Sequence, residues 1–184
     1  EFEGMPYFTM KYVEGARALG AELASGPMDA KKTALLISQV ARAVSYAHHR
    51  GVIHRDLKPA NIMVGKYGEV LILDWGLVKQ VGAEEASDGM VQLQMEGVDA
   101  GLQTMDGAIS GTPNYMSPEQ AQGSPSDIDF QTDVYMLGAM LYEMLAGQPA
   151  FRGESIPEVV FKVVYEEAPP LGDLVSLPPE VTAA

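Results

Sequence analysis

The 184-residue chain is predicted to form one α+β domain, helical for the most part, with a single small β-hairpin. Three observations carry this. Residues 29–50, DAKKTALLISQVARAVSYAHHR, hold apolar side chains at helical spacing; residues 132–147, TDVYMLGAMLYEMLAG, are apolar nearly all round; and the runs NIMV and EVLILD flank a GKYG turn. A chain of this length can bury a real core as one domain and is short for two.

Each element has its own justification. MPYFTMKYVEG (5–15) reads as a strand ending in a short connector. In the 29–50 helix, Leu36, Val40, Ala43, Val44 and Ala47 share a face, with Asp29 placed to cap its start and Gly51 to stop it. Alternation along the first hairpin strand puts Asn61 and Met63 on one face, and Asp74 closes the partner strand, bringing its carboxylate back to Asn61. Residues 80–110 are rich in glycine, acid and small residues without a period, and read as a long mobile loop with at most a short helical turn. The 132–147 helix suits the centre of a domain, so Asp133 near its start is no ordinary surface charge. IPEVVFKVVYEE (156–167) is an amphipathic helix followed by a proline-rich tail. No internal repeat and no second domain is visible.

Composition narrows the function classes. Asp and Glu number 25 against 12 Lys and Arg, a net charge of −13, and no lysine or arginine lies between Lys79 and Arg152. That distribution argues against duplex nucleic acid as a partner, because such binding needs basic residues to replace counterions. The absence of cysteine excludes disulfides, zinc–thiolate sites and thiol nucleophiles. No apolar run approaches the ~20 residues needed to span a bilayer. The first residues, EFEGMPYF, have neither an initiator methionine nor a signal-peptide pattern. The chain is therefore expected to be cut from something longer, with any membrane anchor outside it.

Four motifs then follow in order: HRDLKPAN (54–61), DWG (74–76), GTPNYMSPEQ (111–120) and DVYMLGAMLYEMLAGQPAF (133–151). With this spacing the sequence resembles the eukaryotic-type (Hanks-type) protein serine/threonine kinases, including their bacterial members, from about Pro6 to Phe151 and on to Glu167. The resemblance implies a partial protein-kinase-like fold over 1–184. The last strand of the smaller N-terminal lobe and the hinge fall at 1–15, the long helix at 29–50, and the catalytic loop and metal-binding turn at 54–76. The activation segment falls at 77–119 and the central helix at 132–147, with the smaller lobe largely absent.

The implied activity is transfer of the γ-phosphoryl of ATP, with Mg2+ or Mn2+, to Ser/Thr hydroxyls of protein substrates. Such chemistry asks the protein for positioning and charge neutralisation. By the resemblance, Asp56 accepts or orients the hydroxyl proton, Lys58 offsets charge on the transferring phosphate, and Thr112 shapes the substrate site beside them. Asn61 and Asp74 supply the hard oxygen ligands magnesium prefers. Met10 is the gatekeeper, Lys11, Tyr12 and Val13 offer hinge backbone to adenine, and Met63 lies beneath it. The lysine of HRDLKPAN favours Ser/Thr over tyrosine specificity. Arg17 and Ala60 stand where arginine-preferring kinases carry acids.

Other residues receive supporting roles. Arg55, before Asp56, implies an activation loop ordered by phosphorylation, since arginine meets a phosphate bidentately; Thr104 is the candidate acceptor. His54 is expected to pack and hydrogen-bond, Asp133 to hold the catalytic-loop backbone from below, and His48 and His49 to do no chemistry. Trp75 plugs the site next to Asp74 and its indole N–H needs a partner, while Gly76 completes the turn. No glycine-rich loop, strand lysine or partnering helix glutamate occurs before the catalytic loop, and the late arginine that would pair with Glu119 is not reached. A buried carboxylate without its partner costs ~3–5 kcal/mol. These 184 residues alone are therefore expected to bind ATP poorly and transfer no phosphate. The parent is expected to be an active cytoplasmic kinase, with a kinase dimer among its partners. The alternative is a pseudokinase or truncated kinase-like scaffold module, disfavoured by intact Asp56, Lys58, Asn61 and Asp74.

Overall fold

The structure, a computed structural model, describes residues 12–75, 79–80 and 113–176. Its elements are β1 (Arg17–Ala18), α1 (Leu19–Leu23), α2 (Ala30–His48), β2 (Val52–Ile53), β3 (Ile62–Val64), β4 (Val70–Ile72), β5 (Lys79–Gln80), α3 (Pro118–Ala121), α4 (Phe130–Ala146) and α5 (Ile156–Tyr165). Short 3-10 turns sit at Pro59–Asn61 and Pro113–Tyr115. This is the mixed, mostly helical architecture of the larger lobe that the sequence predicts.

Helix α2 begins where Asp29 accepts a hydrogen bond from the Lys32 N–H at 3.0 Å, satisfying one of the first-turn donors. It ends at His48, and the turn after it is closed by Gly51, whose φ of 73° lies in the left-handed region that glycine enters without a Cβ penalty. Its inward face is Thr33, Leu36, Val40, Val44 and Ala47, all buried. Ala43, which helical spacing places with them, is exposed, and Thr33 takes a core position instead.

Helix α4 crosses beneath α2. Asp129 caps it by accepting from the Gln131 N–H at 2.7 Å, so it starts two residues before the predicted boundary. Met136, Met140 and Met144 recur every four residues and meet Leu36, Val40 and Val44 of α2, with Leu19, Leu57 and Ile62, in the main core. Each such buried side chain contributes ~1.5–3 kcal/mol, and the unbranched thioethers fill irregular gaps between the helices. The helix is not apolar-buried on every side: Val134 is 60% exposed. A smaller cluster of Phe151, Val159 and Val163 seats α5, with Ala121 and Tyr135 packed against it. α5 stops at Tyr165, two residues short of the predicted 167.

The hairpin forms with the register Ile62↔Ile72, Met63↔Leu71 and Val64↔Val70. β1 adds to its other edge through Arg17↔Val64 and Ala18↔Met63, a pairing the sequence reading did not anticipate. β2 and β5 pair separately, Val52 opposite Gln80 and Ile53 opposite Lys79; Gln80 was expected in the loop. Residues 5–11 of the predicted strand and most of the 80–110 loop lie outside the described residues, while residues 12–15 form irregular connector and turn.

Candidate functional site

The site begins with the loop between β2 and β3. His54 is fully buried. Its Nε2 donates to the Leu73 carbonyl at 3.0 Å and its Nδ1 accepts the Asp56 N–H at 3.2 Å. A carbonyl can only accept and a backbone N–H can only donate, so these bonds set the tautomer with the proton on Nε2. Nε2 thereby ties the loop to the segment after β4, and Nδ1 braces the loop's own backbone.

The next residue, Arg55, has φ 70°, a left-handed conformation that costs a side-chain-bearing residue ~1–3 kcal/mol and persists only where its surroundings enforce it. The enforcement comes from α4. Asp133, 0% exposed, accepts from the His54 N–H at 2.9 Å and the Arg55 N–H at 2.8 Å, one on each carboxylate oxygen. His48, at the end of α2, donates from Nε2 to the same carboxylate at 2.7 Å. On the other side Gln120 Nε2 donates to the Arg55 carbonyl at 2.8 Å. Burial pulls the Arg55 guanidinium below its ordinary range, opposed by the attraction of Asp133.

With the loop held this way, three of the four polar residues singled out in the sequence meet. Lys58 Nζ lies 2.8 and 3.1 Å from the two oxygens of Asp56. Asn61 Nδ2 donates to the Asp56 carbonyl at 2.8 Å and to its carboxylate at 3.1 Å. Asn61 is buried and Asp56 and Lys58 are partly buried, and the Leu57 N–H between them points to Met136 Sδ at 3.2 Å. The cluster therefore sits on the core of α4.

Two details correct the expected geometry. Asn61 ends the 3-10 turn Pro59–Asn61, so this turn, and not strand alternation, fixes it; Met63, in β3 proper, is half-buried. Asp74 does not close β4, which ends at Ile72. It lies two residues beyond with φ 59° and is exposed. The cross-strand bond at this level runs from the Leu73 N–H to the Asn61 carbonyl at 2.8 Å. Among the described residues no hydrogen bond joins the Asp74 carboxylate to Asp56, Lys58 or Asn61.

The donor set suits a hard divalent cation. The Asn61 amide nitrogen is spent on Asp56, which leaves its Oδ1 without a described protein donor, and the Asp74 carboxylate, one residue past the Leu73–Asn61 bond, has no hydrogen bond among the described residues. An amide oxygen and a carboxylate are the kind of hard oxygen donor that magnesium takes in phosphate sites. Among the described residues no group of three or more His, Cys, Asp or Glu could form an all-protein metal cage.

The remaining predicted residues sort as follows. Trp75 donates from its indole to the Ile72 carbonyl at 3.1 Å and packs on the His54 ring at 4.6 Å. Glu119 is not a buried, partnerless carboxylate: it is half-buried, and Thr132 Oγ1 donates to it at 2.5 Å. Burial raises its pKa, but bonds from the Thr132 hydroxyl, its own backbone and the Ser117 hydroxyl outweigh that and hold it below the ordinary value. Tyr12 is exposed, and Val13 is half-buried with its carbonyl accepting the Ala16 N–H at 3.2 Å. Met10, Lys11, Gly76, Thr104 and Thr112 lie outside the described residues.

Sequence reasoning missed His48, Gln120 and the Tyr115–Glu143 pair. Gln120 carried a usable signal: Ser117-x-x-Gln120 is a capping-box pattern, and the box forms, with Gln120 Oε1 accepting the Ser117 N–H at 3.1 Å. His48 had none, since its partner is 85 positions away. Tyr115 donates its hydroxyl to Glu143; burial first, then that carboxylate, push the phenol pKa up. Both line an open cleft of about 280 Å³ bordered also by Gly20, Leu23, Lys58 and Pro59.

Fold and site together define the protein kinase class, and comparison with known sequences agrees. The family model "Protein kinase domain" matches residues 3–171, and the chain belongs to that family. Three similar proteins are bacterial and carry the name serine/threonine-protein kinase, one of them as probable. It is 34% identical over 166 residues to the serine/threonine-protein kinase PknB of Mycobacterium leprae, covering 90% of this chain and 24% of that protein. To PknB of Mycobacterium tuberculosis it is 35% identical over 167 residues, with the same coverages. To the probable serine/threonine-protein kinase PknB of Bifidobacterium longum it is 33% identical over 168 residues, covering 91% of this chain and 22% of that protein. The chain thus spans about a quarter of these relatives' length.

Proposed function

We propose that the protein containing this chain transfers the γ-phosphoryl of MgATP to serine and threonine hydroxyls of protein substrates. The observation that carries the reading is the convergence of Lys58 and Asn61 on Asp56, each within hydrogen-bonding distance of it, on a loop clamped by Asp133. It agrees with the names of the three relatives given above, two serine/threonine-protein kinases and one probable one.

In this reading Asp56 receives the acceptor hydroxyl. Lys58 and Asn61 fix its carboxylate from two sides, so its orientation is set before substrate arrives, which is the main demand of phosphoryl transfer. The hydroxyl oxygen attacks the γ-phosphorus, its proton passes toward Asp56, and the bond to the β-phosphate oxygen breaks to release ADP. Lys58 exchanges its Asp56 partner for a phosphate oxygen as negative charge builds there. Asn61 Oδ1 and Asp74 would hold magnesium, which would supply positive charge to offset that of the phosphate groups. The cleft beside Lys58 and Tyr115 leaves room for the acceptor peptide. Thr104 and Thr112 keep the phosphoacceptor and substrate-site roles that the resemblance implies.

The test is phosphate transfer by the full-length protein to a serine/threonine substrate mixture, wild type against Asp56→Asn. Transfer that requires Mg2+ and vanishes in the variant supports the reading. Undiminished transfer by Asp56→Asn refutes it.

A further inference from the structure

The chain is strongly acidic, yet residues 30–55 contain no Asp or Glu and five Lys or Arg. Most of this stretch is α2, whose outward face is basic and partly apolar. Lys31, Leu35, Arg42, Tyr46 and Arg50 recur at spacings of four and seven, which puts them on one stripe ~28 Å long. Leu35 is 61% and Tyr46 63% exposed, and the Arg50 guanidinium lies 3.6 Å from the Tyr46 ring centroid. Lys32, at the edge of the stripe, is already paired with Glu22 at 2.9 Å.

A complement to this face exists in the same chain. Residues 81–111 carry Glu84, Glu85, Asp88, Glu96, Asp99 and Asp106, no basic residue, and the apolar run MVQLQM (90–95) between the acids. The point of departure is also suitable. Gln80 in β5 pairs with Val52, two residues after Arg50, so the acidic segment leaves the described structure beside the C-terminal end of α2. Glu84 and Glu85 follow at four and five residues, a reach of ~13–17 Å. The residues from Glu85 to Asp99 are more than enough to run the length of the stripe.

We propose that the exposed face of α2 is a docking surface for residues 81–111 of the same chain. Arg50 and Arg42 meet Glu84, Glu85 and Asp88, Lys31 meets Glu96 or Asp99, and Leu35 and Tyr46 receive the apolar run between them. A lone surface ion pair is worth little, so the site depends on several charges acting with apolar contact and on the tether, which makes the encounter intramolecular.

The experiment is zero-length carbodiimide cross-linking of the 184-residue chain, mapped by mass spectrometry on a mixture of unlabelled and 15N-labelled protein. The Lys32–Glu22 and Lys162–Glu158 pairs, at 2.9 and 2.7 Å, report that the chain is folded and the reagent active. The expected result is links from Lys31 or Lys32 to the acids of 81–111 within one isotopic form. They should be lost in Arg42→Glu/Arg50→Glu, lost at high salt, and recovered when Glu84→Arg/Glu85→Arg is added to the charge-reversed chain. Absence of these links while the two control links form would overturn the proposal. So would links that survive charge reversal, or links found only between labelled and unlabelled copies, which would make the occupant a second molecule. Loss of the links without recovery in the swapped variant would also count against it. Arg42- and Arg50-dependent binding to anionic phospholipid vesicles with no internal link would assign the face to a membrane instead.

Discussion

Asp133→Ala should uncouple the catalytic loop from the core while leaving the helices assembled. The carboxylate is fully buried and accepts the N–H groups of His54 and Arg55 at 2.9 and 2.8 Å, together with His48 Nε2. Removing it strands two backbone donors, at ~1–3 kcal/mol each. It also removes a restraint on the left-handed Arg55, which itself stores ~1–3 kcal/mol. A loss of ~2–6 kcal/mol follows, set against the ~5–15 kcal/mol of a typical domain. Asp133→Asn should fall in between, because its amide keeps one acceptor and turns an NH2 toward one of the two donors. Urea unfolding by circular dichroism measures the stability, and amide hydrogen exchange at residues 54 and 55 localises the effect. An Asp133→Ala chain within ~0.5 kcal/mol of wild type, the range of an ordinary surface change, with both amides still protected, would refute the clamp.

The other predictions concern separate links in the same chain of cause. In the full-length protein Asp56→Asn should abolish phosphate transfer and leave nucleotide binding largely intact, whereas Asp74→Asn should weaken Mg2+-dependent nucleotide binding; titration with a fluorescent nucleotide separates the two. Glu119 has a folded-state pKa below the ordinary 4.5, so it stabilises the fold above that pH and the contribution disappears as pH falls through the lower folded value. Thr132→Val removes the hydroxyl donor, and should reduce stability at neutral pH and flatten the acid limb of the stability profile; an unchanged limb would exclude the bond. Gly147 caps α4 at φ 71°, and a Cβ there would lie 2.8 Å from Pro27 Cδ and 3.0 Å from Pro27 N. Gly147→Ala should therefore cost at least the ~1–2 kcal/mol of a left-handed alanine, visible as a lower melting temperature.

The local elements were legible because their causes are local. Asp29 and Gly51 delimit α2 through bonds reaching three residues, and Ile62–Val64 and Val70–Ile72 are joined by a turn whose glycines can be read directly. The same holds for Asp56, Lys58 and Asn61, which lie within six residues, so one loop conformation suffices to bring them together. Asp133 was legible in a weaker way: a carboxylate at the start of an apolar helix has to find donors, though its identity as the partner of residues 54 and 55 came only with the resemblance.

What sequence alone determined is thus the set of groups, the elements that carry them and the family they belong to. Tertiary structure decided which groups meet. His48 with Asp133, Gln120 with the Arg55 carbonyl, and Thr132 with Glu119 are separated by 85, 65 and 13 positions, and no periodicity or cap rule couples residues so far apart. The left-handed conformations of Arg55 and Asp74 are of the same kind. Neither residue prefers that backbone, and at Arg55 it exists because α4 and α3 supply the acceptor and the donor that hold it there.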